Sequence, residues 1–329
     1  NSRITGTVDI YKDVRDDIFM KRNHMPLSTG LADQTPMANV GRMKATGWDG
    51  NIAFLQRIGQ VDITLRANMT YQNNEIVDRD EAANELWYKM DRGFRLNQTR
   101  GLIGLGLFKD QEDIDCSPSQ TGLATDGRPI LPGDIKYKDV NGDGLINGDD
   151  QVPLSYSRTP RFMYGFGLEF RYKKLSVAVL FKGTGNTDVY HVGVPDEYGV
   201  IYDAGYIPFY DKQIGNVLSI VKDPANRWIS REYAEKIGLD PSLAENPNAR
   251  FPRLSYGNLA NNSQVSSFWK DNAKYLRLSE VNINYSLNVP KVIKNLGISS
   301  IDLSLVGTNL CVWDKIKISD PEQALYNGR

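Results

Sequence analysis

The chain has 329 residues, a formal net charge of −1 and 40% hydrophobic residues, with a mean hydropathy of −0.43. This near-neutral balance gives no general electrostatic case for nucleic acid or an anionic membrane surface. No run of about 18 apolar residues is present to form a membrane-spanning helix, but a membrane barrel stays open, because its strands are apolar only at alternate positions.

In chain order, period-two alternation dominates. The opening stretch sets Ile4, Val8 and Ile10 against Arg3, Thr5, Thr7 and Asp9. It reads as a strand and not as a signal peptide. Around Ile52–Phe54 a second strand leads through the short "QRIGQ" into Val61–Tyr71. There Val61, Ile63, Leu65, Ala67, Met69 and Tyr71 share one face, and Asp62, Thr64, Arg66, Asn68 and Thr70 the other. Phe162–Tyr172 repeats the pattern, as do Leu175–Phe181, Val281–Leu287 and Ile301–Leu305. Helical periodicity is confined to Ser230–Ile237 and Lys291–Leu296.

The connections are of two kinds. Only Lys173-Lys174 separates two of the strands, whereas about 85 residues follow Asn74 and about 80 follow Gly185 before the next strand. Short turns on one side and long loops on the other suit an outer-membrane barrel. Aromatic residues near the strand ends, at Tyr71, Phe170, Tyr172 and Phe181, suit the interfacial belts of such barrels. Alternation by itself also suits a soluble β-sandwich, whose polar face would meet water.

The loop "YKDVNGDGLINGDDQ" follows the EF-hand template D-x-[DN]-x-[DN]-G-x5-E. Asp139, Asn141 and Asp143 take its positions 1, 3 and 5, Gly144 its tight turn, and Leu145 offers a backbone carbonyl. Ile146 is an apolar anchor, and Asp150 closes the set where the template has Glu. Ca2+ as a structural cofactor and a metal-free acidic turn are both consistent with that spacing. A calcium sensor is not, because no flanking helix pair is predicted.

Other constellations carry little chemistry. "GLIGLGLF", Gly101–Phe108, lacks the Lys-Ser/Thr and the glycine spacing of a phosphate loop and reads as structural. The two histidines, His24 and His191, stand in unrelated contexts, and no nucleophile elbow or placed carboxylate pair is present. An enzyme therefore has no anchor residue here. Cys116 and Cys311 are far apart and read as free thiols. The stretch 196–210 carries Tyr198, Tyr202, Tyr206 and Tyr210, and Trp228 follows. Such rings suit sugars, a protein partner or simple loop packing.

Taken together, "PGDIKYKDVNGDGLINGDDQ", "TPRFMYGFGLEFRYKKLSVAVLFKGTGN", "NPNARFPRLS", "SSFWKDNAKYLRLSEVNINYSL", "LVGTNLCVW…SDPE" and the earlier "NVGRMKATGWD" resemble, in order, the C-terminal part of SusC/RagA-type TonB-dependent outer-membrane transporters of Bacteroidetes. The resemblance implies an all-β fold: an antiparallel transmembrane barrel portion, part of a 22-stranded barrel with a plugged lumen, with long extracellular loops. Residues 1–329 would be the C-terminal portion of that barrel, roughly eight to ten strands, without the plug domain and N-terminal strands. Residues 134–153 would form an EF-hand-like outward loop within it.

The resemblance implies localisation in the cell outer membrane and import of glycans (oligosaccharides) or peptides. The implied partners are a SusD-like surface lipoprotein and the TonB–ExbB–ExbD complex, reached through the missing N-terminal part, besides the substrate and outer-membrane lipid. Tyr198, Tyr202, Tyr206 and Trp228 would be substrate or partner contacts, and Asp139, Asn141, Asp143, Leu145 and Asp150 the metal set. The alternative is a secreted, calcium-stabilised β-sandwich module that binds carbohydrate or protein.

Overall fold

A computed structural model describes residues 3–22, 36–81, 86–157, 159–191, 219–255, 259–290, 298, 300–316 and 320–322. The chain divides into two compact units. The first comprises Asn1–Asp80, Arg158–Thr187 and Ala273–Lys317, the second Glu81–Ser157, Asp188–Asn272 and Ile318–Arg329.

The first unit is one antiparallel sheet of seven strands: β1 (Ile4–Lys21), β2 (Met37–Ile58), β3 (Val61–Asp78), β4 (Phe162–Tyr172), β5 (Leu175–Gly185), β6 (Tyr275–Leu287) and β7 (Ile301–Asp314). Each strand pairs with the next in the chain. Seven is fewer than the eight to ten expected from the resemblance, counted among the described residues. The tight turns are those expected. Gly59 links β2 to β3 at a φ of +61°, and Lys173 links β4 to β5 at +52°. The long connections after β3 and after β5 leave the sheet at its other end, as strand direction requires.

Register confirms the two faces. Val61 lies opposite Tyr172, Leu65 opposite Leu168 and Tyr71 opposite Phe162; Leu168 lies opposite Val179, and Val179 opposite Val281. Cross-strand partners share a side of the sheet, so the apolar sets merge into one continuous face. Its large side chains are exposed, among them Ile10, Leu65, Phe170, Tyr285 and Leu305. Among the described residues of this unit, the buried hydrophobic ones are only Ile76, Ala273, Tyr275 and Ile316. A sheet that leaves an apolar face of seven strands uncovered is no sandwich half at rest in water, since soluble monomers rarely expose more than a few hundred Å2 of contiguous apolar surface.

Aromatic rings gather at both ends of that face. At the long-loop end Trp48 stacks with Tyr71 at 6.5 Å and meets Phe162 at 6.2 Å. Tyr164 lies over Gly183, where a Cβ would come within 2.5 Å of its ring, and its hydroxyl donates to the Tyr275 carbonyl at 3.3 Å. Tyr172 and Tyr285 mark the short-turn end. The eight residue steps from Tyr164 to Tyr172 span roughly 26 Å at strand rise, about the height of the apolar band of a membrane barrel.

Three strands outrun that band. β1 and β3 have 18 residues and β2 has 22. Their far halves mix polar residues with apolar ones such as Phe19, Met37, Val40 and Ile76, and are tied by Arg42–Asp16 at 2.6 Å, Lys44–Glu75 at 2.9 Å and Arg22–Asp80 at 2.5 Å.

The second unit holds the hydrophobic core that the sheet lacks. Leu102, Leu107, Ile135, Tyr137, Phe251 and Trp269 lie at its centre. Its regular elements are short. Gly104–Leu107 pairs with Ile135–Tyr137, and Asp188–Tyr190 with Lys270–Asn272. The helix expected at Ser230–Ile237 forms over Arg231–Lys236, with the Ser230 hydroxyl capping the Tyr233 amide at 3.2 Å. The helix expected at Lys291–Leu296 lies outside the described residues. Cys116 and Cys311 are free and exposed.

Candidate functional site

The two long stretches, 81–157 and 188–272, fold together and not as separate loops. Leu102 donates its amide to Val265 and accepts from Ser267, both at 2.9 Å, while Leu107 donates to Pro247 and Arg253 to Gly133. Gly101 makes this approach feasible, because a Cβ there would stand 2.3 Å from the Val265 carbonyl oxygen. The run Gly101–Phe108 is thus structural, as its glycine spacing suggested.

Beneath these contacts lies a buried polar network. Asp134, 1% exposed, accepts from Asn262 Nδ2 at 2.9 Å and from the Leu131 amide at 2.9 Å. Arg253 meets both of its oxygens, Nε at 2.8 Å and Nη2 at 3.2 Å. Asn262 accepts from the Ile135 amide, and Asn261 donates to the Ile135 carbonyl. Gln120 donates to Asn261 and accepts from the Tyr137 amide. Tyr137 donates its hydroxyl to the Asn261 carbonyl at 2.8 Å, and burial holds that phenol far above its ordinary pKa. Here "PGDIKY" meets "FPRLS" and the Asn261-Asn262 pair.

The EF-hand-like loop is closed by its own hydrogen bonds. Asp139 accepts from the amides of Gly142 at 2.6 Å and Gly144 at 2.8 Å. Asp143 accepts from the Leu145 amide and from Asn141 Nδ2. Asp150 is fully buried and accepts from the amides of Val140 at 2.7 Å and Asn147 at 2.9 Å. Every carboxylate oxygen of the three aspartates therefore has an N–H donor. Gly142 and Gly144 take φ of +79° and +82°, the left-handed backbone that suits glycine. Ile146 is buried, as an anchor should be, and Leu145 is exposed.

Among the described residues no group of three or more His, Cys, Asp and Glu side chains stands where it could hold a metal ion. Asp139, Asn141, Asp143, Leu145 and Asp150 are thus neighbours along one loop, but the three carboxylates do not converge on one centre.

Trp228 lies in the core of the second unit, its ring against Gly133, where a Cβ would stand 2.4 Å away. Tyr198, Tyr202 and Tyr206 lie outside the described residues. Two groupings escaped the sequence reading. Asp271 accepts from His191 Nε2 at 2.7 Å and Arg250 Nη2 at 2.9 Å; burial raises its pKa, but these two partners more than offset that and leave it below the ordinary carboxylate range. The other is the exposed ring of Trp87, stacked on Phe94. No motif spacing marks the first; the run "WYKMDRGF" was the available sign of the second.

On the sheet, the polar face carries a hollow of about 380 Å3. Gly165 and Gly167 form its floor, and Asn51, Arg66, Asn68 and Glu280 stand around it. Paired residues confirm the side: Arg66 lies opposite Gly167 and Asn68 opposite Gly165. Arg66, Glu169 and Glu280 bring mixed charge to a lining that also includes Leu180 and Ala178.

Known proteins agree with this architecture. No protein-family model matches the chain. A curated TonB-dependent receptor of Formosa agariphila, P26, is 25% identical over 334 residues, covering 98% of this chain and 30% of the receptor. A second from the same organism, P39, is 23% identical over 97% of this chain and 31% of its own length. Among solved structures, the RagAB peptide transporter aligns over 97% of this chain with a TM-score of 0.65 at 18% identity, covering 30% of that chain. The RagAB peptide importer in its open-open state gives 0.62 at 19%. The chain spans about 30% of the length of the relatives it matches. The sequence resemblance is thereby upheld, and the fold is that of part of a TonB-dependent transporter barrel.

Proposed function

We propose that this chain, as a segment of a TonB-dependent outer-membrane transporter of the SusC/RagA kind, supplies wall strands and a folded outward loop unit for import of oligosaccharides or peptides. One observation carries this reading. The seven-stranded sheet has an apolar face banded by aromatic rings and a polar face with mixed charge, so it needs lipid on one side and water on the other. The relatives, named as receptors and importers and not as enzymes, support transport in general. The cargo classes and a SusD-like lipoprotein partner are inferences from the family resemblance.

In this reading the polar face, with Arg66, Asn68, Glu169 and Glu280, lines the wet path. The long stretches face outward, where Tyr198, Tyr202 and Tyr206 are the proposed contacts for cargo or lipoprotein. Trp228 contributes from the core by holding Gly133 and its neighbours in place. TonB–ExbB–ExbD would act on the remainder of the polypeptide. Calcium is not required by this reading.

Uptake tests it. Cells lacking the whole transporter should lose import of a fluorescent oligosaccharide or of a fluorescent peptide, and the affected probe names the cargo class. Unchanged uptake of both across a broad panel would contradict the reading.

A further inference from the structure

Trp87 has no part in the transport reading, yet it is held as a binding surface would be. Its ring is 68% exposed. One side stacks on Phe94 at 6.0 Å with the planes 16° apart, and Tyr88 meets its edge at 5.9 Å. Phe94 in turn carries the Arg100 guanidinium at 5.1 Å, and Arg100 is fixed to the carbonyls of Tyr88 and Met90 and to Asp91. The ring is thus supported from behind and open in front. Leaving so large a ring in water forgoes the stabilisation that burial would give it.

The surroundings select what fits on it. The turn Trp87–Lys89 rests on the turn Gly148–Asp150, through the Tyr88 hydroxyl donating to the Asp149 carbonyl at 2.9 Å and Lys89 Nζ 3.5 Å from the Asp149 carboxylate. The charges of Asp150, Asp149, Asp139 and Asp143 are felt there: after burial, they are what raises the Tyr88 pKa. Of the cations in this segment, Lys89 and Arg100 are engaged as described, Arg95 is half-buried and Arg92 is exposed. The whole loop unit has 17 Lys and Arg against 26 Asp and Glu, a net charge of −9.

We propose that the open face of Trp87 docks the basic side chains of a peptide or protein partner through cation–π contact, with the net negative charge of the loop unit supplying the counter-charge. Tryptophan is the ring best suited to this contact, and desolvated instances are the strong ones. The net charge of the unit steers cationic partners toward it and disfavours anionic ones. The inference is independent of import, since docking needs no transport step, so either reading can fail alone.

The test uses the full-length protein purified in detergent, with pentalysine and pentaglutamate as probes. Pentalysine should bind, more weakly as salt rises, and pentaglutamate should not. Trp87→Leu keeps apolar volume but removes the ring, and should weaken pentalysine binding roughly two- to thirtyfold. Arg92→Ala makes the unit more acidic and should tighten it. Equal binding of both probes, no binding of pentalysine, an unchanged affinity in Trp87→Leu, or weakening by Arg92→Ala would each overturn the proposal. So would quenching by brominated lipid that disappears in Trp87→Leu, which would assign the ring to the bilayer.

Discussion

Asp134 is the residue on which the loop unit depends most directly. Replacing it with Asn keeps the shape but leaves Arg253, itself largely buried, without a counter-charge. Breaking a buried pair from one side destabilises by about 3–5 kcal/mol, so Asp134→Asn should lower the unfolding free energy obtained from urea titration by that amount; a loss under about 1 kcal/mol would contradict the network. Asp271 makes a pH prediction. Its pKa is lower folded than unfolded, so its stabilisation is present above the ordinary aspartate value, about 3.9, and is lost as pH falls through the depressed folded value. Between pH 7 and 5 it should therefore add no pH dependence, and Asp271→Asn should flatten the acid limb of a stability profile below about pH 4. For the EF-hand-like loop, oxygens already met by N–H groups predict no heat when Ca2+ is added to chelator-treated protein, and an unchanged melting temperature. A saturable heat would show that Asp139, Asp143 and Asp150 regroup around the cation. The template was legible in the sequence, but its closure was not, because a carboxylate spaced to ligate a metal is equally spaced to accept from the backbone turns between.

At the scale of elements, the strands were legible wherever one face is apolar and the other polar. Val61–Tyr71 and Phe162–Tyr172 appeared as they fold. The end of β3 beyond Asn74 and most of β2 before Ile52 did not, because their apolar residues, such as Met37, Val40, Met43 and Ile76, keep no two-residue period, and contacts such as Lys44–Glu75 help hold the pairing. The two faces also predict opposite tolerances. Leu65→Arg places a charge on the apolar face in mid-strand and should cost about 2–4 kcal/mol in lipid vesicles. Thr64→Arg, one residue away on the polar face, should stay within about 0.5 kcal/mol. Equal costs at the two sites would contradict the assignment of faces.

For the whole molecule, fold class was legible and the second compact unit was not. Its core joins residues far apart in the chain, such as Gln120 and Asn261, 141 positions apart. Long-range polar contacts of this kind carry no local signature, so 81–157 and 188–272 read as two loops and the interior Trp228 read as a surface ring. The central claim is that the sheet is a membrane wall with lipid on one face and water on the other. It is tested most directly by nitroxide labels placed singly along Val61–Tyr71 of the full-length protein in outer membranes. Positions 61, 63, 65, 67, 69 and 71 should be accessible to oxygen from the lipid, and positions 62, 64, 66, 68 and 70 to a water-soluble nickel reagent. Loss of the two-residue period, or nickel access at both sets, would contradict it.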